Sequence, residues 1–131
     1  MVVLKGVPAL LSPELLYALA RMGHGDEIGL GIPLLLEAVL KVLPLDTYVE
    51  SPAAVMELVP SDRRTGLQTP VWRSYQSILF EAGCTSTLAK IERFEFYARA
   101  KKAFAVVATG ETALYGNLIL KKGVLAPEAL F

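Results

Sequence analysis

The chain has little from which to build a disulfide, a metal centre or a nucleic-acid interface. Cys84 is the one cysteine and His24 the one histidine among 131 residues. An intramolecular disulfide is therefore excluded, and a zinc set of Cys and His ligands is not expected. A lone cysteine also suits a reducing, cytoplasmic setting. Thirteen Lys and Arg balance thirteen Asp and Glu, which leaves no net field to hold a phosphate backbone or an anionic membrane surface. Nucleic acid and membrane are not expected partners. No uninterrupted apolar run approaches the roughly twenty residues that cross a bilayer. The apolar start, Met1 to Ala20, is broken by Pro8 and by Ser12-Pro13-Glu14 and has no basic residue ahead of its apolar run, so it reads as part of the fold rather than as a secretory leader. A phosphate-cradling glycine loop, a nucleophile elbow, a metal motif, internal repeats and low-complexity segments are also absent. Pattern alone stops at a cofactor-free domain.

Apolar residues, by contrast, are plentiful: they make up 53% of the chain, and the mean hydropathy is +0.46. Such values in a chain of single-domain length suggest a sheet buried on both faces, a subunit interface, or both, and a homo-oligomer is expected. Ser12, Pro13 and Glu14 give an N-cap, a pre-set first turn and an acid at the positive end of a helix dipole. That helix carries Leu15, Leu16 and Leu19 inward and is expected to end on a left-handed Gly23, delivering His24 onto a tight turn. After the glycine-rich Gly29 to Gly31, the run from Pro33 to Leu43 reads as a largely buried helix stopped by Pro44. Strands are predicted around Tyr48 and from Ala53 to Val59, followed by a surface loop from Ser61 to Pro70 to which no chemistry is assigned. A third helix covers Val71 to Ala82. A strand from Leu88 to Glu92, a short helix from Tyr97 to Lys102, a strand from Ala103 to Thr109 and a closing strand from Asn117 to Lys121 complete the chain. Alternating helices and strands predict an α/β domain, residues 1–131, with the sheet covered on both sides.

Few residues are candidates for chemistry, and each has a plain structural alternative. His24 lies between Gly23 and Gly25 and precedes Asp26 and Glu27; an imidazole there is an exposed loop residue or a proton-transfer group oriented by a carboxylate. Asp46, just past Pro44, is a candidate carboxylate whose plain alternative is capping the next turn. Tyr115-Gly116-Asn117 is either ordinary turn chemistry or a phenol, a bare backbone and an amide that hold the hydroxyls of a small polar ligand. Phe94 and Phe96 read as core, Trp72 as a packing residue, and Cys84 as a small buried hydrophobe.

Longer runs carry more. Leu11-Ser-Pro-Glu-Leu-Leu16, Met22-Gly-His-Gly-Asp-Glu-Ile28, Leu45-Asp-Thr-Tyr48, Arg93-Phe-Glu-Phe-Tyr97 and Tyr115-Gly-Asn-Leu-Ile-Leu-Lys-Lys-Gly-Val124 resemble the ribose pyranase/fucose mutarotase family. The resemblance covers nearly the whole chain. It implies a three-layer α/β/α domain in an oligomer and cofactor-free interconversion of the α and β anomers of L-fucose, with related members acting on ribose ring forms. It assigns proton donation to His24, the complementary acid/base role to Asp46, and contact with the sugar to Met56, Tyr97, Tyr115 and Asn117. It also implies that residues near Tyr115 and Asn117 lie close to a neighbouring subunit.

One departure stands out. Family members carry a stretch of roughly twenty residues, about a strand plus a loop, between the equivalents of Ile28 and Gly29. That stretch supplies another substrate-binding aspartate. This chain therefore reads as a shortened form, expected to lack one strand and to expose the ladder edges of its neighbours. Two further readings stay open beside the isomerase: a catalytically impaired sugar-binding module, and a partner subunit for a full-length protein.

Overall fold

In the computed structural model, which describes residues 4–126, Ser12 caps the first helix as its hydroxyl chemistry dictates: Oγ accepts from the Leu15 N–H at 3.1 Å. The order of elements is α1 (Pro13–Arg21), β1 (Glu27–Leu30), α2 (Pro33–Leu40), β2 (Ala53–Met56), α3 (Pro60–Arg64), α4 (Pro70–Glu81), β3 (Ala89–Ile91), α5 (Arg93–Lys102), β4 (Ala105–Val106) and β5 (Leu118–Lys121). The strands form one sheet in the order β3-β2-β5-β1-β4. β5 runs antiparallel to β1 and β2, while β3 and β4 pair parallel to β2 and β1.

Strand alternation divides the core between two faces. Ile28, Leu30, Ala53, Val55, Leu118 and Leu120 point to one side, where they pack with Leu15 and Leu19 of α1, Leu36 and Val39 of α2, and Tyr75 and Leu79 of α4. Ala54 and Ile119 point to the other, against Ile91 and Phe96. Covered on both faces, β5 buries Leu118, Ile119 and Leu120 in succession, as a strand inside an α/β/α sandwich must.

The chain joins Ile28 to Gly29 inside β1, and that strand stays paired on both edges: Ile28 sits opposite Leu120 and Ala105, and Gly29 opposite Ile119 and Val106. The expected exposed ladder at the join is thus not found; the outer strands are β3 and β4. A strand was not legible here because Gly29 and Gly31 dilute the β signal. Val106 methyls lie 3.7 Å from the position a Cβ on Gly29 would take.

Other expectations shift as well. α1 ends at Arg21 with Met22 extended, and the left-handed residue is Gly25 (φ 88) rather than Gly23. α2 stops at Leu40, three residues before its expected end, with the Leu43 N–H still bonded to the Val39 carbonyl. Tyr48 lies in a bend, not a strand, with only Leu45 bridging to Lys122. The expected loop after Ser61 opens instead with α3, started by Pro60 at its first turn. α5 begins four residues earlier than expected because the Glu92 carboxylate accepts from the N–H groups of Phe94 and Glu95. β4 is shorter than the strand expected from Ala103 to Thr109. Phe96 is buried but Phe94 is exposed, edge-on to Tyr97 at 6.5 Å.

Candidate active site

The turn between α1 and β1 is built to present His24. The Asp26 carboxylate accepts from the Gly23 N–H at 2.8 Å, and the Gly25 N–H donates to the Lys122 carbonyl at 2.8 Å. Lys122 also donates its ammonium to the Leu19 and Met22 carbonyls, both at 2.7 Å, placing a cation on the C-terminal end of α1. Residues 23 to 26 are fixed at both ends by β5 and α1, leaving the imidazole half-exposed.

Asp46 reaches the same place along a different path. Its N–H donates to the Lys121 carbonyl at 3.0 Å and the Gly123 N–H donates to the Pro44 carbonyl at 2.8 Å, so residues 44 to 46 run along the end of β5. Asp46 is 4% exposed. Its Oδ1 lies 3.1 Å from His24 Nε2 and accepts from the Tyr48 N–H at 2.9 Å. That backbone hydrogen bond is the largest influence holding Asp46 below its ordinary value of 3.8; burial opposes it, while the bond to His24 and the charges of His24 and Lys121 assist. The contact with Asp46 engages Nε2 and leaves Nδ1 on the other side of the ring. The Tyr48 ring lies 5.3 Å from that of His24. Tyr48 was not singled out from the sequence, though Asp46-Thr47-Tyr48 is the spacing at which an aspartate bonds the N–H two residues on.

Because the fold lowers the Asp46 pKa, the ionised carboxylate adds stability that is present above pH 3.8 and lost as pH falls through its folded value. Thermal melting followed by circular dichroism should show the midpoint falling below about pH 4, with Asp46→Asn flattening that part of the profile. An identical acid profile in the variant contradicts this linkage.

The remaining expected site residues lie at the other end of the sheet. Glu27 of β1 pairs with Lys121 and Leu30 with Leu118, so His24 and Asp46 flank the C-terminal end of β5 while Tyr115 and Asn117 precede its start. Four residues of strand separate the two ends by roughly 13 Å. Tyr97 and Asn117, both exposed, share a depression of about 360 Å³ with Gly29, Thr109 and Glu111. Met56, at the end of β2, packs half-buried on the Ile91, Phe96 and Ile119 cluster. Within one chain the six expected site residues therefore form two groups.

Glu111, not anticipated from sequence, braces the second group. Its Oε2 accepts from the Ile32 N–H at 3.1 Å, and Oε1 from the Ala113 N–H at 2.8 Å. This ties the loop before β5 to the start of α2, where Ile32 holds a left-handed φ of 65. Tyr75 donates to the Gly116 carbonyl at 2.5 Å; burial, chiefly, and then the Glu111 charge push its phenol up to about 12. Both acids beside His24 are engaged elsewhere: Asp26 closes the histidine turn, and Glu27 is ion-paired with Arg99.

Sheet, layers and paired side chains define a three-layer α/β/α protein with a hydrogen-bonded imidazole–carboxylate pair at one end of its central strand. Residues 29–125 match the model of the RbsD / FucU transport protein family. The human fucose mutarotase is 74% identical over an alignment of 153 positions covering 99% of each chain; this chain has 131 residues. A crystal structure described as the fucose mutarotase of Streptococcus pneumoniae in complex with L-fucose superposes with a TM-score of 0.85 at 39% identity, covering 94% of this chain and 100% of that one. Bacillus subtilis RbsD, complexed with D-ribose, shares the fold at a TM-score of 0.67 and 19% identity, covering 88% of this chain and 95% of that one. The chain belongs to the RbsD / FucU family. The family match begins at Gly29.

Proposed function

We propose that this chain interconverts the α and β anomers of L-fucose by cofactor-free ring opening, as a single domain over residues 1–131 acting in a cytoplasmic homo-oligomer. The observation that carries this reading is the His24–Asp46 pair at 3.1 Å, in a chain 74% identical to a fucose mutarotase. His24 protonates the ring oxygen as the C1–O5 bond breaks, and ionised Asp46 takes the proton of the anomeric hydroxyl, whose O–H electrons form the C1 carbonyl. Rotation about C1–C2 presents the other face of the aldehyde. Both transfers then reverse, closing the ring as the other anomer and restoring the pair.

Met56, Tyr97, Tyr115 and Asn117 contact the sugar in this scheme. Their separation from His24 within one chain supports a site completed between neighbouring protomers, with the acid–base pair from one and the Tyr115–Asn117 segment from the next. Mixing tests it directly. His24→Ala and Asn117→Ala proteins, each deficient alone, should regain anomer exchange when co-assembled, because a fraction of interfaces then carries both intact halves. No recovery from a verified mixed oligomer contradicts the shared site.

A second reading has one observation in its favour: no carboxylate beside His24 replaces the absent aspartate, since Asp26 and Glu27 are both engaged. It makes the chain a sugar-binding or partner subunit. Saturable L-fucose binding with exchange no faster than in protein-free solution supports that reading over the isomerase.

A further inference from the structure

Tyr115 is fixed more firmly than a turn residue requires. Its backbone holds a φ of 59, uncommon for any residue but glycine. Its carbonyl accepts from Trp72 Nε1 at 2.9 Å, and the two rings meet edge-on at 6.4 Å. Its hydroxyl donates to the Asp62 carboxylate and accepts from the Val59 N–H at 3.3 Å. Asp62 belongs to α3, and the adjacent Arg63 is ion-paired with Glu57, just past the end of β2. Val59 and Asp62, three residues apart at the start of α3, therefore both bear on one phenol.

We propose that Asp62 is a positioning residue that makes the Tyr115 hydroxyl a pure acceptor toward the sugar. A phenol has one proton and two lone pairs. An ionised Asp62 can only accept, so it claims the proton; Val59 claims one lone pair; a single lone pair remains. That oxygen can be satisfied only by a ligand hydroxyl that donates, which gives the site a directional preference among sugar hydroxyls and withholds Tyr115 from acid catalysis. The inference rests on the reading of Tyr115 as a sugar-contacting residue. In agreement with the geometry, the Tyr115 phenol is raised, first by the bond to Asp62 and then by burial, against the opposing Val59 N–H and the Arg93 charge.

Titrating L-fucose against the folded proteins, followed by Trp72 fluorescence and ligand NMR, tests the proposal. Asp62→Ala should raise the half-saturation concentration about three- to tenfold, the scale of one hydrogen bond, and Asp62→Asn, which keeps an acceptor oxygen, should raise it less. An Asp62→Ala/Tyr115→Phe double variant should bind no more weakly than Tyr115→Phe alone, because Asp62 acts only through that hydroxyl. The phenol absorbance transition lost in Tyr115→Phe should also move down toward the ordinary tyrosine range in Asp62→Ala. Unchanged fucose binding in Asp62→Ala, penalties that multiply in the double variant, or an unmoved phenol transition each overturns the proposal. Fucose binding by Tyr115→Phe equal to that of the parent protein instead overturns the sugar-contact reading beneath it, whatever the phenol titration reports.

Discussion

His24→Ala abolishes L-fucose anomer exchange above the uncatalysed rate. The chain has no second histidine, and positioned proton transfer contributes about 10²- to 10⁴-fold, so no group of similar character remains at the end of β5. Asp46 stays in place without the imidazole, held by the Tyr48 N–H and by its own N–H on Lys121. It is then a base without the imidazole that would protonate the ring oxygen. The fold should survive, because the imidazole is half-exposed and the turn that carries it is held by Asp26, Gly25 and Lys122 rather than by the ring. Circular dichroism matching the parent protein, together with anomeric-proton exchange at the protein-free rate, is the expected pair of results. Retained exchange removes His24 from its role.

Gly123→Ala damages fold and site together. A Cβ at this position meets the Leu45 carbonyl oxygen at 2.4 Å and the Asp46 Cα at 2.7 Å, both backbone atoms with no rotamer to yield. Glycine is needed here for close approach: the segment that delivers Asp46 lies directly against β5's exit. Overpacking of this kind costs about 1–3 kcal/mol, a large part of a typical margin of about 5–15 kcal/mol. Relief requires residues 44 to 46 to move away, which lengthens the His24–Asp46 contact. Thermal melting should show a midpoint lowered by roughly 5–10 °C, with exchange falling by more than the loss of folded protein explains. A parent-like melting curve and rate contradicts this account of Gly123.

How much of this was legible beforehand depended on whether the signal was local. Ser12-Pro13-Glu14 predicts a helix start because the hydroxyl, the fixed φ and the carboxylate all act within one turn, and α1 begins there. The apolar runs Ala53 to Met56 and Leu118 to Leu120 likewise carry their own strands. β1 was hidden because Gly29 interrupts it and Gly31 follows it, and what makes it a strand is pairing with β5 and β4 across the sheet. α3 was hidden by a polar composition that gives a five-residue helix no buried face. Among the site residues, the company His24 keeps was expected from a resemblance, not from spacing. Twenty-two positions separate it from Asp46, and only the meeting of two loops at the end of β5 brings them together. Asp62 and Glu111 escaped notice for the same reason: their partners, Tyr115 and Ile32, are distant in sequence.

The isomerase reading requires that this chain, joined at Ile28–Gly29, still assembles a working acid–base pair. Saturation transfer between the anomeric protons of L-fucose, measured by NMR with the purified, folded chain against a protein-free control, decides it. Exchange above the control is the predicted result. Exchange equal to the control, from protein shown to be folded, contradicts the isomerase reading and leaves a sugar-binding or partner subunit.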